Sequence, residues 1–187
     1  MAPESFVSIV VPTTGRVGYL RGMVKSVARL DYPRDRFELI LLGDAETALL
    51  KRARELALEG RIALQVIFDP VAAGEKRNRG VAAAQGEFIA FTDDDTILRE
   101  DWLRAAVRHL EANPGYAGVG GPNFTPREGL PFAKAVGRIF GSKFLFRFRY
   151  TAGHDEPREV DHNPTCNYVL RREAVASVGF HSTLWPG

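Results

Sequence analysis

The feature that most constrains the fold is a regular alternation in the first 120 residues. Short apolar runs, rich in β-branched and aromatic residues, alternate with longer segments in which apolar residues recur at helical spacing. The runs occupy residues 6–11, 37–42, 62–68, 88–91 and 116–120. The helical segments occupy residues 17–30, 47–58, 73–85 and 100–113. This order predicts strands that are joined by helical crossovers.

Such a βαβαβαβαβ pattern predicts a Rossmann-like α/β fold, with a mainly parallel sheet, right-handed crossovers and helices on both faces. Four of the predicted strands end at Pro12, Asp44, Asp69 or Asp93. The carboxyl ends of parallel strands meet at one edge of a sheet, and ligands of open α/β sheets bind at that edge. We therefore expect these four residues to line one edge.

Three consecutive carboxylates, Asp93, Asp94 and Asp95, follow the fourth strand directly. Adjacent carboxylates repel one another unless a cation neutralises them. Hard oxygen ligands suit Mg²⁺ or Mn²⁺, which retain open positions for substrate phosphates. The triplet alone is equally compatible with an acidic turn that caps the next helix. The functional interpretation of the triplet is that its carboxylates bind a divalent cation, which in turn holds a diphosphate.

Composition restricts the class of protein. The formal net charge is only +2, which argues against a general nucleic-acid-binding surface. The single cysteine, Cys166, excludes an internal disulfide framework. The first residues are polar, and no stretch approaches the roughly 18 apolar residues of a membrane span. The chain is therefore expected to be cytoplasmic.

Four segments in this order resemble the family 2 glycosyltransferases. They are VSIVVP at 7–12, FELILLGD at 37–44, KRNRG at 76–80 and GEFIAFTDDD at 86–95. The resemblance covers roughly residues 6–110, over half of the chain. Each segment alone is a weak signal, whereas four in register are a strong one. The resemblance implies a GT-A fold, with a nucleotide-sugar-binding half at 1–121 and an incomplete acceptor-side half at 122–187 within one structural domain.

The resemblance also implies the roles of individual residues. Asp44 matches the aspartate that accepts a hydrogen bond from the base, typically uracil N3–H. Asp93 to Asp95 match the DXD motif, in which Asp94 lies at the ribose, and Asp95, together with Asp93, is expected to bind Mn²⁺ or Mg²⁺. The complete set expected to bind the nucleotide-sugar is Pro12, Thr13, Thr14, Arg16, Asp44, Arg77, Asp93 and Asp94.

The implied reaction is inverting transfer of a sugar, most typically from a UDP-sugar, to an acceptor hydroxyl during polysaccharide or cell-envelope glycan synthesis. Relatives carry an acidic general base just after the position equivalent to Gly187, and no residue within the chain is identified as its substitute. The resemblance therefore implies a truncated chain without intrinsic activity. A missing portion would expose apolar surface, so a homo-oligomer is expected.

Residues 132–150 interleave aromatic side chains with cations. One interpretation is a face that lies on the inner surface of the membrane and meets a lipid-linked acceptor. The other is that the aromatic side chains pack under the sheet while the cations face water. Both remain open from the sequence.

Two other functions are compatible with parts of the sequence. An Asp-x-Asp pair after an apolar strand also occurs in haloacid-dehalogenase-type phosphatases, where the first aspartate is the nucleophile. In those enzymes the pair follows the first strand, whereas here three strand–helix units precede it. The second alternative is a nucleotide-sugar-binding fragment that does not turn over.

Overall fold

The computed structural model describes residues 4–14, 17–45, 48–124, 135, 159–160 and 163–181. Within these ranges the strands are β1 (Val7–Pro12), β2 (Phe37–Gly43), β3 (Ala63–Phe68), β4 (Phe88–Thr92), β5 (Gly118–Gly120) and β6 (Asn167–Arg171). The α-helices are α1 (Val17–Val27), α2 (Ala48–Glu59), α3 (Ala73–Ala83), α4 (Trp102–Ala112) and α5 (Arg172–Val178). A short 3₁₀ helix, Arg34–Arg36, precedes β2.

The strands form one six-stranded sheet in the order β3-β2-β1-β4-β6-β5. The pairs β1–β2, β1–β4 and β2–β3 are parallel, whereas β6 is antiparallel to both of its neighbours. The predicted α/β class with a mainly parallel sheet is confirmed. The order reverses beside β1, because β2 and β3 lie on one side of it and β4 lies on the other. Such a reversal opens a crevice at the carboxyl ends of the strands.

Both faces of the sheet are covered, as the near-continuous apolar sequences of the central strands require. Alternate residues of β1 divide between the two cores: Ile9 belongs to one and Val10 to the other. The larger core packs the sheet against α1, α2 and α4. In α4 the residues at i, i+3, i+4 and i+7 are buried, namely Leu103, Ala106, Val107 and Leu110. The smaller core packs the other face against α3 and α5.

Strand β6 comes from the second half of the chain but lies inside the sheet, between β4 and β5. Its alternation fits this position, since Val169 joins the larger core and Leu170 the smaller. The strand occupies Asn167–Arg171. The division at residue 121 stays a prediction. None of the described helices combines the length and apolar character that a membrane span requires.

Helix α3 approaches the sheet closely because of a glycine. A Cβ atom at Gly80 would overlap Val10 Cγ1 and lie 3.1 Å from Leu42 Cδ1. We expect Gly80→Ala to lower the free energy of unfolding by about 1–3 kcal/mol, as overpacking usually does. Urea denaturation measures this change. The control is Gly115→Ala, where no described atom lies within 4 Å of the added methyl group. Equal stability of the two variants would contradict this packing.

Candidate functional site

The ends of β1, β2 and β4 open into one cleft of about 370 Å³. The segment between β3 and α3 and the first turn of α3 form the rest of its wall. Its lining residues are Pro12, Thr13, Thr14, Asp44, Val71, Ala72, Ala73, Lys76, Arg77, Asp93 and Asp94. Residues from four separate sequence segments therefore meet at the edge where the sheet topology predicts a ligand site.

The end of β1 is tied to the acidic triplet. Thr13 Oγ1 donates a hydrogen bond to Asp94 Oδ2 at 2.6 Å. Both residues are almost completely buried, with exposed fractions of 2%. A buried carboxylate is stable only when hydrogen bonds replace its lost hydration. Asp94 is thus part of the cleft floor, and its carboxylate is held in a fixed orientation.

A lysine from α3 joins the ends of β1 and β2. Lys76 Nζ lies 2.6 Å from Asp44 Oδ1 and donates to the carbonyl oxygen of Thr13 at 3.1 Å. The Lys76 side chain is almost fully buried, whereas that of Asp44 is 48% exposed. The carboxylate of Asp44 is therefore held by Lys76 on its buried side, and the rest of the side chain is exposed and lines the cleft.

Arg77 forms the corresponding contact with the acidic triplet. Arg77 Nη2 lies 3.1 Å from Asp93 Oδ1, and the guanidinium stacks over the ring of Phe180 with its carbon 5.8 Å from the centroid. Burial raises the pKa of Asp93; the Arg77 charge opposes this change, while Asp95 and Asp94 add to it. Negative charge is therefore in excess at this end of the cleft.

The three aspartates have different environments. Asp93 is paired with Arg77, Asp94 accepts from Thr13, and Asp95 is exposed and is not among the residues that line the cleft. Among the described residues no group of three His, Cys, Asp or Glu side chains is arranged as a ready-made metal site. Mg²⁺ is usually held by one or two carboxylates together with substrate phosphates, so a preformed cage is not required. Asp95, with the excess charge behind it, fits a cation held in this way.

The structure brings together most of the residues expected at the site. Pro12, Thr13 and Thr14 line the cleft with Asp44, Arg77, Asp93 and Asp94. Arg16 lies outside the described residues, as does the stretch 132–150 apart from residue 135. Asp69 also ends a strand but is not part of the cleft lining; it pairs with Arg79 at 3.2 Å.

Sequence reasoning missed two features of the site. In the sequence, Lys76 lies in the charged segment KRNRG, which is compatible with a solvated helix face, but its exposed fraction is only 3%. The bond between Thr13 and Asp94 joins residues 81 positions apart. One signal in the sequence could have placed Lys76 at the site. Lys76 lies in the first turn of the predicted helix 73–85, which follows the predicted strand 62–68. From that position its long side chain can reach the neighbouring strand ends.

Removal of the Thr13 hydroxyl tests the bond to Asp94. We expect Thr13→Val to lower the free energy of unfolding by about 1.5–3 kcal/mol, the usual range for a hydrogen bond to a charged group. Chemical denaturation at neutral pH measures this loss. The matched control is Thr14→Val, because Thr14 is the next residue along and is exposed. If both variants are as stable as the wild type, Asp94 does not depend on Thr13.

Comparisons with known proteins bear on the family and the fold of this chain. The model of the family described as glycosyl transferase family 2 matches residues 8–179. Poly(ribitol-phosphate) beta-N-acetylglucosaminyltransferase TarS of Staphylococcus aureus is 27% identical over 109 residues, which are 56% of this chain and 18% of TarS. The chain therefore spans less than a fifth of that relative.

Solved structures show the same fold. The mannosyltransferase PcManGT from Pyrobaculum calidifontis, in complex with GDP-Man and Mn²⁺, superposes with a TM-score of 0.71 and 22% identity, over 99% of this chain and 50% of PcManGT. TarS 1-349 from S. aureus, in complex with UDP-GlcNAc, superposes with a TM-score of 0.58 and 23% identity, over 67% of this chain and 37% of the TarS chain. Both likenesses are evidence of fold.

The extent of the family match argues against the haloacid-dehalogenase-type alternative. The match includes the ends of β1, β2 and β4 that form the cleft, and it extends through β6 and α5. This chain belongs to glycosyl transferase family 2, as the order of its motifs, the topology of its sheet and a family match over most of its length together show.

Proposed function

We propose that the cleft binds the nucleoside diphosphate of a sugar donor, specifically a UDP-sugar, and that this chain is the donor-binding part of a glycosyltransferase. The observation that carries the proposal is the shared lining of one cleft by Asp44 and by Asp93 and Asp94 of the acidic triplet. A nucleoside diphosphate has hydrogen-bond donors on its base, which suit Asp44, and anionic oxygens on its phosphates, which a divalent cation would bridge to the acidic triplet.

Asp44 is the proposed base-binding residue. Its carboxylate accepts hydrogen bonds only, and about half of its side-chain surface is exposed. Uracil presents one N–H donor, N3–H, between two carbonyl oxygens. An ionised acceptor suits this donor, because charge-assisted hydrogen bonds are stronger than neutral ones.

The diphosphate is proposed to lie toward Asp95. The N-terminus of α3, with Ala72 and Ala73, borders the cleft, and helix N-termini attract anions. The guanidinium of Arg77 is not saturated by Asp93, since its buried Nε has no hydrogen-bond partner among the described residues. Asp95 would hold Mn²⁺ or Mg²⁺, which would supply Lewis-acid stabilisation of the leaving diphosphate.

The residues of this chain hold and orient the donor in the proposed reaction. Asp94 faces the ribose, fixed by Thr13, and the cleft walls align the sugar–phosphate bond. Displacement by an acceptor hydroxyl from the opposite side would invert the anomeric centre. That hydroxyl requires a carboxylate as general base. The described residues supply the donor-binding part of this arrangement.

The acceptor is proposed to be a glycan or a lipid-linked glycan of the cell envelope. The support for this class is the similarity to TarS, whose name describes transfer to poly(ribitol-phosphate). A lipid-linked acceptor would place the protein at the inner face of the membrane. Binding of 132–150 to anionic vesicles, measured by co-sedimentation of wild type and a variant with its lysines and arginines changed to glutamine, tests this part. Equal sedimentation of both proteins would contradict it.

Calorimetric titration of the 187-residue chain with UDP, with and without Mn²⁺, tests the donor site. We expect micromolar binding in the presence of Mn²⁺ and at least about tenfold weaker binding without it, a difference of about 1.4 kcal/mol. Uridine, which lacks the diphosphate, is the control ligand and should bind equally with and without the metal. Absence of UDP binding under both conditions would contradict the proposal.

Asp44→Ala tests the base-binding end separately. We expect the variant to lose most of its preference for UDP over CDP, by about tenfold, because the lost acceptor is specific to an N–H donor on the ring. Mn²⁺-dependent binding of the diphosphate should persist. Asp69→Ala is the matched control, since Asp69 also ends a strand but is not part of the cleft lining. The same preference in wild type and Asp44→Ala would refute the role of Asp44.

A further inference from the structure

Lys76 is an unusual residue for a helix beside an open cleft. Lysines are almost never fully buried unless they are paired, and this one is 3% exposed. Its ammonium group lies between Asp44 Oδ1 and the carbonyl oxygen of Thr13, at 2.6 and 3.1 Å. Two of its three N–H donors therefore have protein acceptors, and the ammonium is fixed against β1 and β2.

This contact changes what Asp44 can offer to a ligand. A carboxylate with two available oxygens accepts two parallel N–H donors at once. In this chain the ammonium of Lys76 is bonded to Oδ1. The carboxylate is 48% exposed, so it can still accept a hydrogen bond from the cleft. Asp44 thus has one oxygen that Lys76 does not contact, and the second of two donors side by side would have to share Oδ1 with the ammonium.

Nucleobases differ in this property. Uracil has a single N–H donor on its recognition edge, flanked by carbonyl oxygens. Guanine has two adjacent donors, N1–H and the 2-amino group, and each requires its own carboxylate oxygen. Hypoxanthine has the same ring as guanine without the 2-amino group. A buried donor group left without a partner costs free energy, so a carboxylate that offers one oxygen penalises guanine.

We propose that Lys76 determines base specificity: by occupying one oxygen of Asp44, it restricts the site to bases with a single N–H donor and so favours uracil over guanine. The inference rests on the proposed binding of a nucleoside diphosphate in this cleft. It answers a question that the fold leaves open, because similar structures contain GDP-Man in one case and UDP-GlcNAc in another.

Binding of UDP, GDP and inosine diphosphate in Mn²⁺ tests the inference in the unmodified chain. We expect UDP to bind most tightly, and GDP to bind no more tightly than inosine diphosphate, because the 2-amino group finds no second unshared oxygen. GDP binding about tenfold more tightly than inosine diphosphate would overturn the inference, since Asp44 would then accept both donors. Failure of all three to bind would instead contradict the proposed function.

Lys76→Met tests the lysine directly, because methionine has a similar length and no charge. We expect GDP to bind about tenfold more tightly than inosine diphosphate in this variant, and the preference for UDP over GDP to fall by a similar factor. Arg79→Met, an exposed residue of the same helix, should leave both ratios unchanged. Unchanged ratios in a folded Lys76→Met would overturn the inference. Should the variant fail to fold, the comparison of GDP with inosine diphosphate in the wild type decides.

Discussion

Asp95→Ala is expected to abolish the effect of Mn²⁺ on UDP binding while the fold is retained. Asp95 is exposed and belongs to neither core, so its removal leaves the packing of both cores intact. We expect the affinity in Mn²⁺ to fall by at least about tenfold, or about 1.4 kcal/mol, to the metal-free value of the wild type. Calorimetric titration in Mn²⁺ and in a chelator measures both values.

The matched control is Asp101→Ala. Asp101 is another exposed aspartate of the same region, but it pairs with Arg99 at 2.8 Å and is not part of the cleft lining. Its removal should leave the Mn²⁺-dependent affinity within about twofold of the wild type, since exposed ion pairs contribute little. Metal-dependent binding that survives in Asp95→Ala would show that the metal assignment is wrong.

Phe91→Ala is expected to cause the largest loss of stability. Phe91 is fully buried in β4, two residues before the acidic triplet, and its ring packs edge-to-face on Phe180 with centroids 5.1 Å apart. A phenylalanine truncated in a core costs about 3–5 kcal/mol, of which the ring pair accounts for about 1 kcal/mol. Urea denaturation followed by circular dichroism measures the change in the unfolding midpoint.

Phe68→Ala provides the comparison for this variant. Phe68 is the last residue of the edge strand β3 and is 40% exposed. Partial exposure leaves less apolar surface to lose, so the expected cost is about 1 kcal/mol. Because Phe91 positions β4 as well as filling the core, its variant should also bind UDP more weakly at temperatures where it is still folded. Equal midpoints for the two variants would show that the smaller core does not depend on Phe91.

The periodicity of the sequence was sufficient to predict the parallel part of the fold. Residues that are apolar in runs form β1, β2 and β4, because strands covered on both faces require apolar side chains on both. The insertion of β6 between β4 and β5 was not predictable in the same way. Its pairing joins Thr92 to Asn167 across 75 residues, and local periodicity carries no information about such partners.

The candidate site was predictable to the level of its strand ends. The positions of Asp44 and Asp94 follow from topology, because parallel strands place their carboxyl ends at one edge. The partners of these residues do not follow from topology. Lys76 and Arg77 are adjacent in α3, yet one reaches Asp44 and the other Asp93. A strand-end position also does not guarantee a place in the cleft. Asp69 ends a strand, but it pairs with Arg79 and does not line the cleft.

A crystal structure of this chain with UDP and Mn²⁺, with the metal located by its anomalous scattering, tests the central claim most directly. The account predicts the uracil N3–H within hydrogen-bonding distance of Asp44 and the metal about 2.0–2.2 Å from a carboxylate oxygen of Asp95, with the diphosphate between them. Nucleotide bound elsewhere on the molecule, or a metal bound far from the end of β4, would contradict it.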